Sequence, residues 1–213
     1  MPNLPNLAEA TPLWLLLLTT LVGAIEGAAR GRQPGSDVDI MGMAVFALFL
    51  GLGGGLARDM LLGLPAAAIQ SFWYPTMVVL GVHIVLTLGR FIPLRGWTMV
   101  TLDALTLGLY AAIGTQKALN FDVPLIGAVV VGLFASLTGG AIVSLLQQER
   151  PAVITPSAPY GLLALGGVLV YLALTPLSGA LAAIACLTFV VASRIVTLRR
   201  GITTGRVTPL SDD

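Results

Sequence analysis

Seven stretches of apolar residues run along the chain, parted by short polar breaks: 13–29, 40–64, 72–88, 97–113, 124–146, 160–175 and 177–196. Each approaches the roughly 20 apolar residues that a membrane-crossing helix needs. Prolines stand at the breaks (Pro34, Pro65, Pro93, Pro124, Pro151 and Pro176), and no break is long enough for a soluble domain. The pattern predicts an all-α polytopic membrane protein of seven transmembrane helices, forming one membrane domain over residues 1–213.

The second stretch is interrupted by Gly53, Gly54 and Gly55, followed by Arg58 and Asp59. Glycine costs roughly 1 kcal/mol in a helix interior, so a triplet is a weak point at which a helix bends or breaks. A break in lipid frees backbone groups that only protein or a water-filled cavity can receive. A charge at mid-membrane costs about 2.5–3.5 kcal/mol on insertion scales and marks a bundle interior or an aqueous path. The stretch therefore reads as the middle of a pathway. The alternative is close helix packing, since Gly51 and Gly55, like Gly23, Gly27 and Gly31, have small-residue packing spacing.

The pattern repeats. Thr138-Gly139-Gly140 stands 85 residues after Gly53-Gly54-Gly55, and the same offset carries Gly42 to Gly127, Asp37 to Asp122 and Gly81 to Gly166. An offset of 87 carries Gly27-Ala28-Ala29-Arg30 onto Gly114-Thr115-Gln116-Lys117. Residues 12–95 and 97–176 form two repeats of three spans, 177–198 the seventh helix and 199–213 a cytoplasmic tail. Three is odd, so the second copy enters the membrane inverted, and such repeats place a transport site at their interface. The second and fifth helices are expected to be kinked at their glycine clusters and to face each other across it.

Composition supports the class: 56% of residues are hydrophobic, 10% are charged, and mean hydropathy is +0.94, against about 25% charged in soluble domains. The net charge of +1 argues against a nucleic-acid partner. Nine of the 11 basic residues (Arg30, Arg32, Arg90, Arg95, Arg150, Arg194, Arg199, Arg200 and Arg206) fall on one side; Arg58 and Lys117 depart. The positive-inside rule then puts the N-terminus outside and the C-terminus in the cytoplasm. Met1 to Pro12 lacks a basic region, so no cleavable signal peptide is expected. Lone Cys186 and lone His83 offer no metal cluster, and His83 is read as a packed helix residue. No Ser/His/Asp set is within reach, and the triplet lacks the Lys-Ser/Thr of a phosphate loop, so an enzyme is not expected. Trp73, Tyr74 and Trp97 are read as an interface belt.

The glycine triplet followed by x-x-Arg-Asp and Leu-Leu-Gly, duplicated in a three-plus-three arrangement with a seventh span, resembles the prokaryotic branch of the trimeric intracellular cation (TRIC) channel family. Asp103-Ala104 through Gly114-Thr115-Gln116-Lys117-Ala118-Leu119 resembles that family's fourth span. The resemblance implies a homotrimer in the inner membrane with one pore per protomer, lined by the kinked helices. Potassium would be the permeant ion; no cofactor is implied, though a bound lipid would fit. The same family has carried a glycine-transporter label, which supplies the alternative of a small-zwitterion carrier. The second repeat departs from the family: Val143 and Ser144 stand where Arg and Asp recur, and Thr138 replaces the first glycine.

Carbonyls freed near Leu52-Gly53 and Leu137-Thr138 would contact the ion, joined by the hydroxyls of Ser136, Thr138 and Ser144. Arg58 would border the path on its outer side as an electrostatic barrier or gate, with Asp59 holding a neighbouring helix, or Arg58 through a bridging group. A buried salt bridge that fastens helices is the competing reading. Lys117 is either a snorkelling helix-end lysine or a gating charge. Glu26 and Asp103 would attract cations or pair with arginines. The pore and gating set is thus Gly53, Gly54, Gly55, Arg58, Asp59, Lys117, Ser136, Thr138, Gly139, Gly140 and Ser144.

Overall fold

A computed structural model describes residues 11–91, 94–155 and 159–205. They form α1 (Leu13–Gly31), α2 (Ile40–Leu61), α3 (Ala67–Gln70), α4 (Trp73–Leu88), α5 (Trp97–Asn120), α6 (Leu125–Leu146), α7 (Tyr160–Leu174) and α8 (Gly179–Arg199). Five of these, α1, α2, α5, α6 and α8, are long and apolar enough to cross a membrane. The expectation of seven full-length spans is corrected in this respect. The third and sixth apolar stretches form α4 and α7, of 16 and 15 residues. At 1.5 Å per residue they reach about 24 and about 22 Å, short of a hydrocarbon core of about 30 Å. The four-residue α3 was not foreseen. Pro93, Arg206 and most of the proposed tail lie outside the described residues.

Packing registers give the directions of the helices. Gly27 of α1 lies against the backbone of Phe46 and Ala47, and Gly23 against Leu50 and Gly51, so α1 and α2 form an antiparallel hairpin. In the second half Gly114 of α5 packs on Val131 and Gly132 of α6, the 85-residue counterparts of Phe46 and Ala47. Between the halves, α2 and α6 also cross antiparallel: Phe46 clusters with Val143, Gly139 meets Phe49 and Leu50, and Gly54 meets Ala135. Arg30 near the end of α1 reaches Asp103 near the start of α5, while Thr11 ahead of α1 donates to Gln116 near the end of α5. Corresponding helices of the two halves therefore run in opposite directions.

Their ends are built alike too. The C-terminus of α2 closes with the N–H of Gly63 on Met60 O (3.1 Å) and that of Leu64 on Asp59 O (2.8 Å). The C-terminus of α6 closes with Gln148 on Leu145 O (3.0 Å) and Glu149 on Ser144 O (2.9 Å). Both are Schellman caps, which need a left-handed residue: Gly63 has φ 65° and Gln148 φ 58°.

Arg30, Arg32, Arg90, Arg95, Arg150, Arg194, Arg199 and Arg200 all stand at or beyond one end of the bundle, the C-terminal ends of α1, α4, α6 and α8 and the start of α5. This end is called inner below, and the end with Arg58 and Lys117 outer. The eighth helix packs in the second half, on α5 and α7: Cys186 Sγ contacts Gly108 O at 3.7 Å, and Gly167 leaves room for Val190. His83, read as packed, is instead exposed on α4. Trp73 and Trp97 are exposed, as a belt requires, but Tyr74 is buried.

Candidate functional site

The expected breaks in the second and fifth helices do not occur. Helix α2 is continuous through Gly53-Gly54-Gly55, and α6 through Thr138-Gly139-Gly140. Intact i to i−4 bonds are the inexpensive state for a backbone within lipid, and the glycines serve approach instead. A methyl at Gly54 would meet Ala135 O and stand 2.7 Å from the Tyr110 ring. One at Gly53 would come within 3.2 Å of Gly139 Cα, and one at Gly139 within 2.8 Å of Phe49 O. The carbonyl of Gly51 gains an added partner from another helix, accepting from the Tyr110 hydroxyl. Replacing Tyr110 by Phe should lower the midpoint of thermal unfolding by the equivalent of about 1 kcal/mol; an unchanged midpoint would mean the bond contributes nothing.

On either side of this contact lies a small cavity. The outer one, about 20 Å³, is lined by Thr19 and Thr20 of α1, Leu52, Gly55, Arg58 and Asp59 of α2, Ala67 and Ala68 of α3, Tyr74 of α4 and Tyr110 of α5. The inner one, about 10 Å³, is lined by Arg30 of α1, Leu137, Gly140 and Ser144 of α6, Ala152, Val153 and Tyr160. About 10–15 Å³ is what a single water requires, so each holds at most about one. Leu52, Gly55, Asp59, Ala67 and Ala68 correspond at the 85-residue offset to Leu137, Gly140, Ser144, Ala152 and Val153. The two cavities are counterparts.

A charged cluster stands at each. At the outer cavity Asp59 Oδ1 accepts from Arg58 Nε at 2.7 Å and from Lys117 Nζ at 2.8 Å, and Oδ2 accepts from the N–H of Ala67 at 2.9 Å. Arg58 and Asp59 are 3% and 1% exposed. Asp59 holds Arg58 directly rather than through a bridging group, and it lines the cavity beside Arg58. Lys117 does not snorkel but ties α5 to α2. Two cations on one carboxylate leave this cluster at +1.

At the inner end Arg30 bonds Glu26 Oε1 at 2.8 Å and Asp103 Oδ1 at 3.2 Å. Asp103 also accepts from the Tyr160 hydroxyl at 3.0 Å and from Arg194 at 3.3 Å. Glu26 and Asp103 thus pair with arginines. Oε2 of Glu26 and two nitrogens of Arg194 are buried without a hydrogen-bond partner among the described residues, while the Arg194 guanidinium lies 4.8 Å from the centre of the Tyr160 ring.

Of the expected site residues, Gly55, Arg58 and Asp59 line the outer cavity, Gly140 and Ser144 the inner one, and Lys117 joins through Asp59. Gly53, Gly54 and Gly139 form the helix contact. Ser136 donates to Leu133 O (2.9 Å) and Thr138 to Phe134 O (2.6 Å), each within its own helix, so the hydroxyls expected along the path are occupied locally. Tyr110 and Arg194 were missed, Tyr74 was assigned to the belt, and Arg30 and Tyr160 were not placed at the site. The match of Arg30 with Lys117 at offset 87 was a usable signal for Arg30.

A family model described as Glycine transporter matches residues 13–90 and again 100–176. The UPF0126 inner membrane protein YadS of Escherichia coli (strain K12) is 29% identical over 147 residues, covering 66% of this chain and 68% of that protein. A UPF0126 membrane protein of Deinococcus radiodurans is 28% identical over 142 residues, and the match spans 66% of this chain but 65% of the relative's length. A structure reported as the structural basis for conductance through TRIC cation channels superposes with a TM-score of 0.78 at 25% identity, over 93% of this chain and 98% of that one. The Rhodobacter sphaeroides orthologue of the TRIC trimeric intracellular cation channel gives 0.76 at 24% identity, over 89% and 98%. Matched by the family model in both halves, the chain belongs to the glycine transporter family, and this multi-pass membrane protein has the fold of the TRIC cation channels.

Proposed function

We propose that the protein is a monovalent cation channel with potassium as its main permeant ion, one pathway per protomer of a homotrimer, the path running between α2 and α6. The observation that carries this reading is the pair of matched cavities flanking the Gly53–Gly139 contact. Each is lined by hydroxyl-bearing side chains, Thr19, Thr20, Tyr74 and Tyr110 at the outer one and Ser144 and Tyr160 at the inner, beside a buried charged cluster, in a fold shared with proteins reported as cation channels. The halves are an inverted duplication: counterpart helices are antiparallel and share their caps. By the positive-inside rule the excess of arginine puts the inner end in the cytoplasm, with the N-terminus outside and the C-terminus cytoplasmic. The small cavities correspond to a closed path, with Arg58 as the outer barrier and Asp59 and Lys117 holding it in place.

The family model's description favours a second reading, a carrier for a glycine-like zwitterion. Liposomes loaded with potassium separate the two. A channel releases potassium down its gradient at rates insensitive to glycine, and replacing Arg58 by Gln changes that rate with the assembly intact. Saturable uptake of labelled glycine without potassium flux would establish the carrier. An unchanged flux in R58Q would remove the gate role.

A further inference from the structure

At the outer end the basic residue near the close of α5, Lys117, is held by Asp59 of α2 at 2.8 Å. Its counterpart 87 residues earlier is Arg30, which lines the inner cavity. The α6 position corresponding to Asp59 is Ser144, which lines the same cavity and carries no charge. Arg30 is held instead by Glu26 of its own helix at 2.8 Å and by Asp103 of α5 at 3.2 Å. Asp103 is fixed in turn by Tyr160 and Arg194. We propose that Arg30 is the charge that controls cation entry at the inner end of the pathway, and that Asp103 and Glu26 supply, from α5 and α1, the counter-charge that α6 lacks at Ser144. The proposal rests on the channel reading above.

Two carboxylates and two arginines leave the inner cluster neutral, unlike the outer one. The cluster itself therefore adds no net charge at that mouth, and its balance changes sign with the residue removed. Without the guanidinium of Arg30 the cluster stands at −1 and draws cations in. Without the charge of Asp103 it stands at +1 and repels them, with Arg30 held by Glu26 alone. Asp103 is here a positioning residue for Arg30. A purely structural ion pair would lose function in the same direction whichever partner was removed.

Inside-out patches from cells expressing the full chain test this. Cation current entering from the face that carries Arg30 should rise in R30Q by about two- to threefold at low ionic strength, and fall by a similar factor in D103N. Both effects should shrink in high salt. A carboxylate added at the vacant counterpart position, D103N/S144D, should return the current toward its native value. S144D alone should raise it, and this variant removes no buried partner should D103N fail to fold. R30Q and S144D leaving that current unchanged, or R30Q and D103N shifting it the same way, would overturn the proposal. Native patches without cation current would overturn the channel reading instead. The inner charge balance is then read by the reaction of V153C, at a residue that lines the inner cavity and is exposed, with a cationic, membrane-impermeant thiol reagent, Cys186 being fully buried. The rate should rise in R30Q and fall in D103N, and equal rates would defeat the proposal.

Discussion

Replacing Asp59 by Asn is expected to destabilise the protein by about 3–5 kcal/mol, the usual cost of stripping one partner from a buried ion pair. Both Arg58 and Asp59 are almost wholly buried, and the same carboxylate serves Lys117 and the backbone of Ala67. Its neutralisation leaves two cations in a protein interior with no counter-charge. It also loosens α5 from α2 and α3 from the end of α2. Removing either cation is milder, because Asp59 keeps the other. R58Q should cost more than K117Q, since the Lys117 side chain is 23% exposed and reaches solvent once released. Thermal unfolding of the purified protein in detergent, followed by the loss of its monodisperse chromatographic peak, should therefore rank D59N below R58Q, and R58Q below K117Q. A midpoint for D59N equal to that of the native protein would mean the carboxylate does not hold the cluster together.

The second large effect distinguishes adjacent glycines. At Gly54 a methyl collides with Ala135 O and the Tyr110 ring, and at Gly139 with the backbone of Phe49 and Leu50. G54A and G139A should each destabilise the α2–α6 contact by about 1–3 kcal/mol, as overpacking does. Their neighbours face the cavities. A methyl at Gly55 comes no closer than 3.9 Å to Arg58, and one at Gly140 stands 3.9 Å from the Tyr160 hydroxyl. There the gain in helix propensity, up to about 1 kcal/mol per Gly→Ala change, is left unopposed. G55A and G140A should raise the unfolding midpoint slightly while G54A and G139A lower it. A uniform response of all four would mean that the glycines act through helix flexibility and not through approach.

These glycines mark where the sequence was legible and where it was not. The clusters stand out because three small residues in an apolar run are unexpected, and the 85-residue offset is visible in the letters alone. Whether they break a helix or admit a neighbour depends on what lies opposite, and Gly139 opposite Gly53 is a fact of tertiary packing. The fourth apolar stretch ends near residue 113, yet α5 continues to Asn120. Gln116 and Lys117 are polar enough to suggest a membrane boundary, but their partners Thr11 and Asp59 are protein groups, so hydropathy alone misplaces the end. Ion-pair partners were hidden for a similar reason. Arg58 and Asp59 are adjacent, but Lys117 lies 58 residues from Asp59, and Arg194 lies 91 from Asp103. Tyr74 shows the limit of residue type as a guide: Trp73 beside it faces outward, while Tyr74 turns inward to line the outer cavity. A helix of 3.6 residues per turn puts neighbours about 100° apart, and only the bundle decides which of them faces lipid.

The most direct measurement is the reversal potential of single-channel currents, recorded with the purified protein in planar bilayers under a potassium chloride gradient. Discrete current steps that reverse near the potassium equilibrium potential, and whose amplitude or open probability changes in R58Q, are the result a cation pathway between α2 and α6 predicts. Steps reversing near the chloride potential, or no steps from a protein that remains assembled and folded in the same bilayers, would contradict it.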